Sequence, residues 1–197
     1  MTSPTPSRPI SRFPVPELVD LPEDLHERIL QVQEKSGFVP NVFLAMAHRP
    51  AELRAFLAYH DALMDSDVGL TRAEREMIVV ATSAARDCTY CVVAHGAILR
   101  VRARDPQIAD LVATNHRHAP ISRRQRAMLD FALTVSLTPE VVEEHHLAAL
   151  REHGFDDEAV WDIAAITAFF AMSNRMAHVM GLVPNEEFFL MGRLPRS

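Results

Sequence analysis

The chain has 197 residues, 48% of them hydrophobic and 23% charged, with a formal net charge of −6; this suits one domain of ordinary globular composition, long enough to bury a core without disulfides or structural metal. The acidic balance offers no basic excess to neutralise phosphates, so no nucleic-acid partner is expected. No window reaches the ~18 consecutive apolar residues of a membrane span, and the start carries no secretory pattern, so the expected setting is the cytoplasm with no membrane partner.

Residues 1–22 hold six of the 13 prolines, each of which fixes φ and removes a backbone donor. An extended Pro-rich arm is expected there, either disordered or laid across a neighbouring subunit. From Glu23 onward the apolar spacing is helical nearly throughout and no run of apolar and polar alternation stands out, so residues 23–197 read as a single all-α domain. The spacing predicts helices over 23–35, 41–47, 50–65, 71–86, 89–103, 106–114, 122–135, 139–152, 156–181 and 185–191. Thr71 with Glu74, and Ser122 with Gln125, have the capping-box spacing. Gly154 and Gly181 stand where helices should stop, with Pro184 soon after the second. Residues 156–181 are apolar on nearly every face, which predicts the central and most buried helix, and the Met, Phe and Trp161 positions read as core. Arg123, Arg124 and Arg126 read as a solvated face. Gly37-Phe38-Val39-Pro40-Asn41 is echoed by Gly181-Leu182-Val183-Pro184-Asn185, a repeated helix stop and restart.

Both cysteines fall in one CxxC, Cys88 and Cys91. In a reducing compartment such a pair points to catalysis or metal binding rather than a structural staple. His95 follows four residues after Cys91. At about 100° per residue, Cys88, Cys91 and His95 span roughly a 60° arc, so the imidazole reaches back to the Cys91 thiol. The thiolate is the nucleophile, a helix N-terminus favours it, and a neighbouring His accepts its proton. Attack on a peroxide oxygen gives a sulfenic acid, which a second thiol three residues away condenses into a disulfide. Antiparallel packing of the preceding helix brings a carboxylate to His95, with Glu76 and Glu74 as the candidates. Zinc held by Cys88, Cys91, His95 and Glu76 or water is the alternative, but three ligands on one helical turn are unlike the usual two-segment site. No metal and no cofactor are therefore expected. A thioredoxin-like reading needs a preceding strand, and here a helix precedes. Asn174, Arg175 and His178 interrupt the apolar helix and read as a polar network or subunit contact; His116, His118, His145 and His146 read as solvent-exposed.

The pattern Glu76-x11-Cys88-x2-Cys91-x3-His95 resembles the active-site signature of the alkylhydroperoxidase D family, within the carboxymuconolactone decarboxylase superfamily. The flanks resemble its uncharacterised peroxidase-related branch: Gly37-Phe38-Val39-Pro40-Asn41, His48-Arg49-Pro50, Asp130-Phe131-Ala132, Gly154-Phe155, Asn174-Arg175 and Gly181-Leu182-Val183-Pro184-Asn185. The resemblance runs from about residue 17 onward. It implies an AhpD-like helical bundle with its catalytic core at about 71–104, a homo-oligomer, and reduction of hydrogen peroxide or organic hydroperoxides. It also implies a dithiol reductant of the lipoyl or thioredoxin type. By position, Cys91 would attack the peroxide, Cys88 would be the resolving and more exposed thiol, His95 the base and Glu76 its partner. The chain departs in one place: Thr89-Tyr90 stands between the cysteines where lipoyl-linked members tend to carry a His. A carboxymuconolactone decarboxylase-type enzyme is the second reading, although lactone decarboxylation needs no redox dithiol. A non-catalytic redox-sensing or metal-binding module is the third.

Overall fold

Residues 9–193 are described by the structure, a computed structural model. Ten α-helices and three single 3-10 turns make up the regular backbone, and no strand occurs among the described residues. The helices are α1 (Glu23–Ser36), α2 (Asn41–Met46), α3 (Pro50–Met64), α4 (Arg72–Ala84) and α5 (Thr89–Ala103). They continue with α6 (Ile108–Asn115), α7 (Arg123–Leu137), α8 (Glu144–Glu152), α9 (Asp157–Met180) and α10 (Glu187–Leu190). No helix among the described residues is long and apolar enough to cross a membrane.

The centre of the bundle is α4, which packs against α5, α6, α7 and α9. Both bonds of its capping box form: Glu74 N–H donates to the Thr71 hydroxyl at 3.2 Å and Thr71 N–H to the Glu74 carboxylate at 2.9 Å. Ten of its thirteen residues are buried, whereas α9 buries ten of twenty-four. The helix expected to be most enclosed therefore presents one face outward, with Trp161 71% exposed and Met172, Met176 and Val179 also exposed. An apolar composition on every face predicts enclosure only when every face has a neighbour within the same chain.

Three consecutive charges lie in the buried stretch of α4, and each is partnered on a different element. Glu74 accepts from Arg124 of α7 at 2.5 Å, and Arg124 also lies over the Phe155 ring; this residue, expected on a solvated face, is half-buried instead. Arg75 is fully buried. It donates to Asp162 of α9 at 2.7 Å and to the carbonyls of Leu63, Ser66 and Val68 at 2.7–3.0 Å. Glu76 turns toward α5. Buried ions are tolerated only when paired and hydrogen-bonded, so these contacts fix α4 in register against its neighbours.

Elsewhere the differences from expectation are local. The single helix expected over 139–152 is a 3-10 turn at Pro139–Val141 followed by α8. The break falls where Glu143 and His146 form a capping box of their own. The two echoed segments lie against each other. Asn41 Nδ2 donates to Val183 O at 2.8 Å, Asn185 Nδ2 to Val39 O at 2.9 Å, and Asn41 N–H to Asn185 Oδ1 at 2.8 Å. Residues 1–8 of the expected arm lie outside the described residues. From Pro9 the chain follows its own bundle, with Arg12 N–H donating to Met180 O at 2.7 Å and Val183 N–H to Ile10 O at 3.2 Å.

Removing Arg75 strands the Asp162 carboxylate and three carbonyls, of Leu63 at the end of α3 and of Ser66 and Val68 in the loop after it, at once. Arg75→Ala should cost about 3–5 kcal/mol of unfolding free energy, read from urea denaturation. A loss below about 1 kcal/mol would show that the buried ion is not what holds α4 to α9.

Candidate active site

Between α4 and α5 the chain reverses through Arg86 and Asp87, with Asp87 in the left-handed region (φ 55°), a conformation Asp tolerates better than most side chains. The reversal lays α5 antiparallel to α4, and His95 Nδ1 meets Glu76 Oε2 at 2.7 Å. A carboxylate only accepts, so Nδ1 carries the proton and Nε2 is the ring's free position. The other candidate carboxylate, Glu74, is committed to its cap and to Arg124.

Cys88 is the N-cap of α5 rather than part of its first turn (φ −80°, ψ 88°). The two sulfurs therefore do not share the single face that helical spacing predicts. Cys91 and His95 line an apolar cavity of about 250 Å³ whose walls include Phe38, Phe43, Phe56, Phe170 and Ile98. Cys88 lines a separate, more polar pocket of about 250 Å³ with Arg12, Asp87, Thr89 and His178. Tyr90 borders both and divides them. Its hydroxyl accepts from Val42 N–H at 3.1 Å, and burial pushes its phenol up. Cys88 is no more exposed than Cys91 to bulk solvent, each being 2% accessible; what separates them is which pocket they border.

Both thiols are free, and each shifts the ionisation of the other. A hydrogen bond from Cys91 brings Cys88 down to about 7, against the opposing effect of burial and with help from the Cys91 backbone N–H and the charges of His178 and His95. The same interaction, with burial, pushes Cys91 well up, against the opposing effect of the Ser173 hydroxyl. The pair thus favours ionisation of Cys88 over Cys91. The Ser83 hydroxyl gives its one proton to Asn174 Oδ1 at 3.0 Å, which ties α4 to α9. Asn174 Nδ2 is buried without a protein partner.

Other expectations fared unevenly. His178 is exposed, and its Nε2 donates to Arg86 O at 2.9 Å, while Arg175 only bonds its own helix. His116 is buried against Asp130 at 2.9 Å, not solvated, because the turn after α6 folds it onto α7. Among the described residues no cluster of three His, Cys, Asp or Glu side chains has the geometry of a metal site. Sequence reasoning missed His60 of α3. Its ring lines the apolar cavity 6.4 Å from His95 and beside Phe169 and Phe170, and burial followed by the His95 charge lowers its pKa. No local motif marks His60, since only the packing of α3 brings it to α5.

The pattern of the Carboxymuconolactone decarboxylase family matches residues 50–116, which span α3 to α6 and contain all four signature residues. No curated protein matches the chain. A solved structure from Ralstonia eutropha JMP134, described as an alkylhydroperoxidase AhpD core and uncharacterized peroxidase-related protein, is 66% identical at a TM-score of 0.95. It covers 96% of this chain and 100% of its own. An uncharacterized peroxidase-related protein from Silicibacter sp. TM1040 is 40% identical, with a TM-score of 0.90 and coverage of 97% and 100%. The debrominase Bmp8, solved with 2,3,4-tribromopyrrole, shares the fold at 21% identity and a TM-score of 0.76, over 91% of this chain and 92% of its own. Since one fold serves differently named enzymes, it does not choose the reaction. The chain belongs to the carboxymuconolactone decarboxylase family, as an AhpD-like, peroxidase-related member.

Proposed function

We propose that the protein is a thiol peroxidase that reduces hydrogen peroxide or organic hydroperoxides through a Cys88–Cys91 dithiol/disulfide cycle. The observation that carries the reading is the division of the pair between two pockets, with Cys91 and a Glu76-oriented His95 together on the apolar one. In the reduced protein the Cys91 proton passes to His95 Nε2, and the Cys91 thiolate attacks the terminal peroxide oxygen. The O–O bond breaks, Cys91 becomes a sulfenic acid, and the departing alkoxide takes the proton from His95 and leaves as the alcohol. The Cys88 thiolate then attacks the Cys91 sulfur and expels hydroxide, which is protonated to water, leaving the disulfide. Two electrons enter the peroxide and two thiols are oxidised. A thiol or dithiol donor restores the pair.

Two further features belong to this reading. Free thiols in a working dithiol fit a reducing compartment such as the cytoplasm. The outward apolar face of α9, with Trp161, Met172, Met176 and Val179 exposed, gives a homo-oligomer a surface to bury.

Intact-mass measurement after stoichiometric cumene hydroperoxide tests the cycle. Wild type should lose two hydrogens, and Cys88→Ser should retain a trapped sulfenic acid that Cys91→Ser does not form. If both thiols stay reduced at millimolar peroxide, the peroxidase reading fails and the decarboxylase-type reading moves forward. Glu76→Gln should slow thiol oxidation by about 10²-fold, whereas a change of less than about twofold would remove Glu76 and His95 from the proton path.

The pair's ionisation has its own signature. Thiolate absorbance should rise with pH through a midpoint of about 7 in wild type. Cys91→Ala removes the largest cause of that low value, so the midpoint should move upward toward the ordinary thiol range. An unchanged midpoint would place the cause in the helix N-terminus instead.

A further inference from the structure

The pocket on the Cys88 side carries two opposite charges that do not neutralise each other. Arg12 and Asp87 both line it with Cys88, and among the described residues neither joins an ion pair. Arg12 is held deliberately. Its backbone N–H bonds Met180 O at 2.7 Å, and its Nη1 donates to the carbonyls of His178 and Val179 at 3.3 Å. Among the described residues those contacts leave Nε and Nη2 without a hydrogen-bond partner. Gly181 makes the passage possible, since a Cβ there would stand 2.9 Å from Arg12 Nε. Asp87 is fixed from the other side by its left-handed backbone immediately before the N-cap sulfur. His178, anchored through Nε2 to Arg86 O, completes the polar wall.

From this arrangement we infer that the pocket is the docking site of the reductant, and that the reductant is a zwitterionic amino-acid or short-peptide thiol. Its carboxylate is met by Arg12 and its ammonium by Asp87, with its sulfur between them at Cys88. The inference deepens the peroxidase reading and rests on its disulfide. In the first step the reductant thiolate attacks the Cys88 sulfur, a mixed disulfide forms, and Cys91 leaves as a thiolate beside the Ser173 hydroxyl before taking up a proton. A second thiolate attacks the reductant's own sulfur in the mixed disulfide, releasing the symmetrical disulfide and the Cys88 thiolate. The oxidising and reducing molecules thus enter by different pockets and meet only through the two sulfurs.

The test starts from protein whose disulfide has been formed with diamide, so it does not depend on peroxide chemistry. Its reduction is timed with cysteine, with N-acetylcysteine, which lacks the ammonium, and with cysteine ethyl ester, which lacks the carboxylate. Comparing each variant with wild type for the same thiol cancels differences in intrinsic thiol reactivity. Arg12→Gln should slow cysteine and N-acetylcysteine by about three- to fivefold and leave the ester within twofold. Asp87→Asn keeps the backbone preference and should slow cysteine and the ester by a similar factor, leaving N-acetylcysteine unchanged. Arg12→Lys should restore most of the carboxylate-dependent rate. Equal slowing of all three thiols in both variants, or no slowing in either, overturns the docking assignment while leaving the peroxidase reading intact. Failure of diamide to join Cys88 to Cys91 overturns the disulfide cycle, and the docking site with it.

Discussion

The core of the bundle is positioned against three consecutive buried charges on α4, Glu74, Arg75 and Glu76. Desolvating an ion costs several kcal/mol unless its partners are in place, and three in a row cannot be satisfied by one neighbour, because successive side chains point in different directions around the helix. Glu74 draws in α7, Arg75 draws in α9 and the loop that leads into α4, and Glu76 draws in α5. The same arrangement that fixes the register of the core also sets the imidazole of His95. His95 is consequently oriented from the most enclosed helix of the bundle, the kind of support a preorganised site needs.

The second determinant is where the CxxC falls relative to the helix boundary. If Cys88 were one residue inside α5, both sulfurs would face the same cavity. As the N-cap it lies across the turn from Cys91 while still touching it, with Tyr90 as the wall between an apolar chamber and a polar one. Each sulfur thus borders a pocket of its own, which is what the proposed cycle and docking site rest on. The interaction between the thiols favours ionisation of Cys88 over Cys91, the order that the proposed cycle needs.

Much of this was legible in the sequence. The all-helical class, the helix order and both capping boxes follow from apolar spacing and short polar motifs. The family signature picks out Glu76, Cys88, Cys91 and His95, of which Glu76 and His95 stand in direct contact. What periodicity could not see was anything decided by burial at long range. Nothing local marks Arg75 as a buried ion, and Arg124 and His116 read as solvated because their partners lie on other helices. Trp161 misleads in the other direction, because an apolar residue on a helix reads as core whether its neighbour lies within the chain or outside it. His60 and Arg12 have no sequence neighbours that announce them, and α3 and the N-terminal segment carry them to the two pockets from 28 and 76 residues before Cys88.

The central claim is that Cys91 reduces a peroxide at the expense of the dithiol, and a single-turnover product count addresses it most directly. Fully reduced protein, mixed with a slight excess of cumene hydroperoxide and no added thiol, should yield one cumyl alcohol per chain and then stop, with both cysteines oxidised. A yield near zero, or alcohol formed while both thiols remain titratable, would contradict the account.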